Sequence, residues 1–155
     1  MKQNQWLVLA GFVVLCLAVG GVSGAITANA VTTWYPTLNK PFFNPPPWIF
    51  APVWTLLYIM MAVAAWRVWL MGEVSKPALN LFFIQLALNF FWSVIFFQLQ
   101  SPGWALIEIA ALWLMILLTT RAFWHIARTA AYLMLPYLAW VSFASVLNAS
   151  IWWLN

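Results

Sequence analysis

Charge is scarce in this sequence. Only 5% of its 155 residues are Asp, Glu, Lys or Arg, against roughly a quarter in soluble domains, while 66% are hydrophobic. That balance excludes a water-soluble globular domain and indicates an integral membrane protein. Carboxylates are scarcer still: Glu73 and Glu108 are the whole acidic complement, so no carboxylate pair exists for acid–base work. The one cysteine, Cys16, sits inside an apolar run as a small hydrophobe and excludes an intrachain disulfide. With a single histidine beside it, no metal cluster can be assembled. There is no Ser-His-Asp set, no H-E-x-x-H and no glycine-rich phosphate loop, which leaves hydrolysis, phosphoryl transfer and metal chemistry without machinery. The six basic residues stand apart at the ends of apolar runs, so no patch for nucleic acid forms.

Apolar length, by contrast, is abundant. A hydrocarbon core about 30 Å thick needs about 20 apolar residues per helix, and breaks in the pattern leave five such runs, at about 6–28, 48–71, 78–99, 104–124 and 130–153. The breaks are a proline-rich loop over 29–47, Gly72 to Pro77, Ser101-Pro102-Gly103, and His125 to Thr129. None of the runs has the period-two alternation of barrel strands. The expected fold is therefore all-α, one domain forming a bundle of five transmembrane helices. Lys2, an apolar stretch and Ala28-Asn29-Ala30 imitate a secretory signal, but the run from Trp6 to Ala28 outlasts a signal core of about 7 to 15 residues and reads as the first span. Pro47, Pro77 and Pro102 stand at helix entrances, where a missing N–H costs nothing; Pro136 falls inside the last span.

Five crossings put Lys2, Arg67, Lys76, Arg121 and Arg128 at one face of the membrane and Lys40 alone at the other. The positive-inside rule then predicts a cytoplasmic N-terminus, with the 29–47 loop and the C-terminus outside. Trp6, Trp48, Trp69, Trp104, Trp124, Trp152 and Trp153 fall near predicted span ends, as an interfacial aromatic belt requires. His125 belongs to the cytoplasmic end of the fourth span, across the membrane from the aromatic residues discussed next, which argues against a haem ligand.

Polar groups at membrane depth need partners inside the protein or a cavity. On the third span Gln85, Asn89, Ser93, Phe96 and Gln100 recur at helical spacing and draw one polar stripe. The stripe serves interhelical hydrogen bonding, a pocket lining, or both. Trp54 and Tyr58 on the second span and Trp140, Ala144 and Asn148 on the fifth are likewise spaced by four. At about 1.5 Å rise per residue, Trp54, Tyr58, Ser93, Phe96, Trp140 and Ala144 share the outer half of the membrane. Small Ala144 among large rings is what a site for a flat apolar ligand needs, and ordinary aromatic packing is the competing reading. Glu108, the one carboxylate at membrane depth, lies on the same side and reaches the interface, pairs with Asn or Trp N–H groups, or is protonated. Gly20-x-x-x-Gly24 offers a close-approach face for intramolecular packing or for a dimer seam.

The prolines and aromatics between the first two spans carry a specific resemblance. The stretch Trp34-Tyr35-Pro36-Thr37-Leu38-Asn39-Lys40-Pro41-Phe42-Phe43-Asn44-Pro45-Pro46-Pro47-Trp48 resembles the pattern W-Y-x-x-L-x-K-P-x-W-x-P-P of the tryptophan-rich sensory proteins, the TspO/translocator protein (peripheral benzodiazepine receptor) family. Ala87 to Phe97 and Pro136 to Asn148 resemble that family's third-helix and fifth-helix blocks, and the likeness runs from about residue 6 to 153. It implies a five-helix bundle, often a homodimer, that needs no cofactor and binds tetrapyrroles such as protoporphyrin IX and haem as ligands. Animal members also bind cholesterol and benzodiazepine-type compounds. By motif position the implied ligand contacts are Trp34, Tyr35 and Pro45 in the loop, with Trp54, Tyr58, Asn89, Ser93, Phe96, Trp140 and Ala144 in the helices. Some bacterial members degrade porphyrin under light, a role that would fall on Trp54 and Trp140. Two positions depart from the pattern: the loop Trp after Lys-Pro is Phe43 here, and the C-terminal stretch from Leu147 to Asn155 has neither the Tyr nor the cation of the animal cholesterol motif. The functions that follow are a receptor or carrier for tetrapyrroles and other bulky apolar ligands such as sterols, a light-dependent porphyrin-degrading enzyme, or a structural membrane subunit without a small-molecule ligand.

Overall fold

Inside a bilayer no water is available to satisfy backbone N–H and C=O groups, so a segment that crosses must close its own hydrogen bonds. The chain does so five times. The computed structural model describes residues 2–155, with side chains from residue 4 onward. Its helices are α1 (Lys2–Thr33), α2 (Pro47–Trp69), α3 (Lys76–Ser93), α4 (Pro102–Ile126) and α5 (Arg128–Leu154), and all five are long and apolar enough to span. No strand occurs among the described residues. Prolines open three of them as expected: Pro47 begins α2, Pro77 lies in the first turn of α3, and Pro102 begins α4.

Two helix ends and one interior proline differ from the sequence reading. Helix α1 does not stop at 28 but continues through Thr33, so the connecting loop spans only 34–46. The reason is local: the hydroxyls of Thr27, Thr32 and Thr33 fold back onto carbonyls of Ser23 and Asn29, which removes their need for outside partners and lets a polar-looking stretch stay helical. Helix α3 closes with a π turn over Val94–Gln98, in which Leu99 N–H reaches back to the Val94 carbonyl at 2.9 Å. The wider turn ends the helix before Gln100, which adopts φ 50° and is exposed, so Gln100 leaves the predicted stripe. Pro136 is not the only interior proline either; Pro52 lies inside α2, one turn past its start.

Lipid tails are as apolar as leucine, so packing contacts and internal hydrogen bonds hold such a bundle together, with no water-driven collapse between the helices. Here the two halves of the bundle are packed differently. Away from the 34–46 loop, Met61, Ala65, Val68, Phe82, Ile116, Phe123, Ala130 and Met134 are all fully buried. Toward the loop, Phe96, Ala105, Leu147 and Ile151 form a smaller buried cluster, and beside it Phe50, Trp54, Trp92, Ser93, Trp140, Phe143 and Ala144 are only half-buried. Between the halves lies a buried hydrogen-bonded layer. The Tyr58 hydroxyl donates to Asn89 Oδ1 at 2.6 Å, Asn89 Nδ2 donates to the Tyr137 hydroxyl at 2.8 Å, and that hydroxyl donates to Gln85 Oε1 at 2.7 Å. It ties α2, α3 and α5 at mid-membrane.

Gly20 of the candidate close-approach motif is taken up inside the molecule, because a Cβ there would stand 2.6 Å from Tyr58 Cε2. Gly24 has open space around it. The belt tryptophans Trp6, Trp48, Trp104, Trp124, Trp152 and Trp153 are exposed and Trp69 is half-buried. Cys16 is a fully buried free thiol in the packed half, and His125 is exposed in the last turn of α4.

Candidate ligand-binding site

The proline-rich loop is built to hold a shape. Pro36, Pro41, Pro45 and Pro46 fix φ along it, with Pro47 following as the first residue of α2, and a 3-10 turn over Tyr35–Thr37 starts it. The Tyr35 hydroxyl donates to Asn44 Oδ1 at 2.9 Å, drawing the two limbs together. Burial raises the Tyr35 phenol above its ordinary pKa, opposed by this hydrogen bond. Lys40 donates to the Leu38 carbonyl at 3.1 Å and lies 4.9 Å from the Tyr35 ring centre. Asn39 and Asn155 clasp each other through backbone and side-chain amides, at 3.0 and 2.9 Å, which fastens the loop to the end of α5. The result is a tethered cap over one end of the bundle.

Beneath it, the aromatic residues fall into two groups. Trp34 meets Phe96 edge-on at 5.8 Å, Tyr35 lies 5.7 Å from Phe97, and Trp92 stacks on Phe96 at 5.2 Å. The π turn makes this group possible, since it carries Phe96 to 2% exposure while Phe97 still faces the cap. On the other side Trp54 contacts Tyr58, Tyr137 and Trp140 at 5.6, 6.3 and 6.5 Å, and Trp140 extends the row to Phe50 and Phe143. Phe43 reaches down from the cap to Phe143 at 6.2 Å. It thus replaces the expected loop Trp as a ring against α5, although it has no N–H to donate.

Of the implied contacts, Trp54, Tyr58 and Trp140 come together in one group, and Trp34, Tyr35 and Phe96 in the other. Asn89 belongs to the hydrogen-bonded floor, with Ser93 one turn above it on α3 and half-buried. Ala144 is half-buried one turn above Trp140, and Pro45 follows Asn44 in the cap. Sequence reasoning missed Tyr137 as a functional-looking residue. The signal was available: Tyr137 lies three residues before Trp140, and a phenol at membrane depth requires a polar partner. It also missed Phe50 and Phe143, which are unremarkable in an apolar run until their ring contacts are seen.

Three side chains in this half carry buried polar atoms without a hydrogen bond: Trp140 Nε1, both carboxyl oxygens of Glu108, and Ser23 Oγ on α1. Glu108 therefore does not pair with a side chain and does not snorkel. It sits on the buried face of α4 with Ala105 and Leu112, between the Asn148–Pro102 and Trp113–Ser142 hydrogen bonds that fix α4 against α5. No cluster of His, Cys, Asp or Glu able to hold a metal occurs among the described residues. Outside the aromatic groups, a groove of about 450 Å³ runs between α2 and α5 on the surface turned to lipid, and Trp140 is the one implied contact that lines it.

A cap with this Trp-Tyr start, a paired Trp54 and Trp140, and Asn89 in the floor are positions that the resemblance singled out. The model of the TspO/MBR family matches residues 12–154. This chain belongs to the TspO/MBR family. The tryptophan-rich protein TspO of Chlorobaculum tepidum is 47% identical over 157 residues, covering 99% of each chain. The protein of the same name from Archaeoglobus fulgidus is 42% identical over 150 residues, 96% of this chain and 97% of that one. The translocator protein of Bos taurus is 39% identical over 152 residues, covering 95% and 89%. As a family member with five apolar helices, the chain is an integral, multi-pass membrane protein.

Proposed function

We propose that this membrane protein is a receptor or carrier that takes up porphyrin-like tetrapyrroles, protoporphyrin IX or haem, beneath its cap, and serves a sensory or regulatory role. The observation that carries the reading is the contrast between the two halves: half-buried rings from the cap, α2, α3 and α5 stand over a sealed floor. Flat rings can exchange their edge-to-face contacts for stacking on a planar ligand at little cost, because each pair contributes only about 0.5–1.5 kcal/mol beyond burial. Sterols and other bulky apolar molecules meet the same walls. The excess of basic residues at the end opposite the cap supports an orientation with the cap outside. The open space beside Gly21 and Gly24 on α1 supports a homodimer. Titrating the purified protein in the dark with protoporphyrin IX tests the reading. Saturable quenching of tryptophan fluorescence is expected, and Trp140→Ala or Ala144→Leu should abolish it; unchanged affinity in both variants removes the site.

One observation favours a second reading, the degradation of bound porphyrin under light. Trp54 and Trp140 are in edge-to-face contact at 6.5 Å, with the unpartnered indole N–H on Trp140. Illuminating the complex should then yield a new absorbing product that a Trp54→Phe/Trp140→Phe double variant does not form. The same product from the double variant rejects this reading.

A further inference from the structure

We propose that the seam between α2 and α5 is a lateral portal, through which an apolar ligand dissolved in the bilayer reaches the aromatic half, with Trp140 and Phe143 standing across the opening. The inference rests on the ligand-binding reading above and adds a route to it.

The cap end offers no easy passage. It is closed by the Tyr35–Asn44 tie, the Lys40–Leu38 bond and the paired Asn39–Asn155 clasp. The seam is different. Among the described residues, the only hydrogen bond between α2 and α5 joins Arg67 to Thr129, at the far end of both helices. In the aromatic half no hydrogen bond joins these two helices directly among the described residues; Trp54 and Phe50 meet Trp140, and Trp54 meets Tyr137, as rings. They are hydrogen-bonded at the far end, linked through Asn89 at mid-membrane, and held above that layer by apolar packing.

A groove of about 450 Å³ lies on the lipid side of this seam, walled by Val53, Leu56 and Met60 from α2 and by Pro136, Ala139 and Trp140 from α5. Leu56 is 58% exposed and Ala139 is exposed, both at mid-helix, so what covers them is hydrocarbon or a molecule dissolved in it. Trp140 and Phe143 form the inner wall, and the same two rings contact Phe50, Trp54 and Phe43 of the candidate site. One layer of rings therefore separates groove from site.

The two helices framing the groove are also the two with interior prolines. Pro136 lines it, and Pro52 directly precedes Val53. Each proline removes one i to i−4 hydrogen bond and makes its helix easier to bend at that point. In α3 and α4 the prolines lie in the first turn, and α1 has none. Trp140 Nε1, buried and unpartnered at this threshold, is the first donor an incoming molecule meets.

The test is kinetic. The full chain in lipid nanodiscs is mixed with vesicles carrying protoporphyrin IX, and quenching is followed by stopped flow for the wild type, Ala139→Phe and Leu56→Phe. Either substitution fills the groove from the lipid face without touching the cap, and thermal melts confirm folding. Expected are association and dissociation both slowed at least tenfold with affinity unchanged, because a blocked passage raises one barrier for both directions. An unchanged association rate in both variants overturns the portal while leaving the ligand reading intact. Weaker affinity at an unchanged association rate also overturns it, by placing these residues in the site wall. Absence of saturable binding in the wild type removes the ligand reading, and the portal with it.

Discussion

At Gly20 the first helix passes so near the second that a methyl group would stand 2.6 Å and 2.8 Å from two carbons of the Tyr58 ring. The ring cannot retreat freely, because its hydroxyl is committed to Asn89 in the buried layer. Gly20→Ala is therefore expected to destabilise the protein by about 1–3 kcal/mol, as overpacking does, whereas Gly24→Ala, with nothing within 4 Å, should leave the melting temperature unchanged. Thermal melts of both variants in detergent decide the matter. Asn89 is the other residue whose loss propagates. Asn89→Leu strands the hydroxyl of Tyr58 and removes a donor to Tyr137, at about 1–3 kcal/mol for each group left unsatisfied. Adding Tyr58→Phe should recover part of that loss, a non-additivity that equilibrium unfolding of the single and double variants would measure. The sequence made Asn89 visible as a polar group at membrane depth. It did not show that Asn89 joins two tyrosines from other helices, because helical spacing orders residues along one face and says nothing about what the facing helix offers.

At the scale of elements, the five helices were legible because hydrocarbon thickness and backbone satisfaction leave a segment of this length few alternatives. Their ends were less so. The extension of α1 depends on three threonine hydroxyls folding back onto its own carbonyls, and the end of α3 depends on one wide turn; neither alters composition enough to be read. The cap was legible as a stiff loop, since the four prolines within it reduce what it loses on ordering. Replacing Pro41 and Pro45 with glycine should accordingly weaken protoporphyrin IX binding before it lowers the melting temperature, a separation that parallel titration and melting would reveal. Pro136→Ala should act in the opposite sense. Restoring the missing hydrogen bond in α5 should raise the melting temperature, by about 2–4 °C per kcal/mol regained, and slow ligand association through the α2–α5 seam.

For the whole molecule, the charge asymmetry makes an independent statement. Arg67, Lys76, Arg121 and Arg128 gather at the end opposite the cap, and Lys40 stays with the cap. In intact cells, a membrane-impermeant thiol reagent should label Phe42→Cys, whose native side chain is fully exposed at the cap, and spare Val74→Cys in the opposite turn. The native Cys16 is buried and should stay silent. Labelling with the reverse pattern would invert the orientation.

The hydrogen-bonded layer of Tyr58, Asn89, Tyr137 and Gln85 has one more implication. Each donor in its run points to the next acceptor, and beneath it Met61, Ala65, Phe82, Ile116 and Met134 are fully buried. A passage from one aqueous side to the other would have to break that run and open the packed half together. On the ligand-binding reading proposed above the site is one-sided: a ligand that enters through the α2–α5 seam leaves by the same seam, and crossing to the other leaflet requires the Tyr58–Asn89–Tyr137 run to open first.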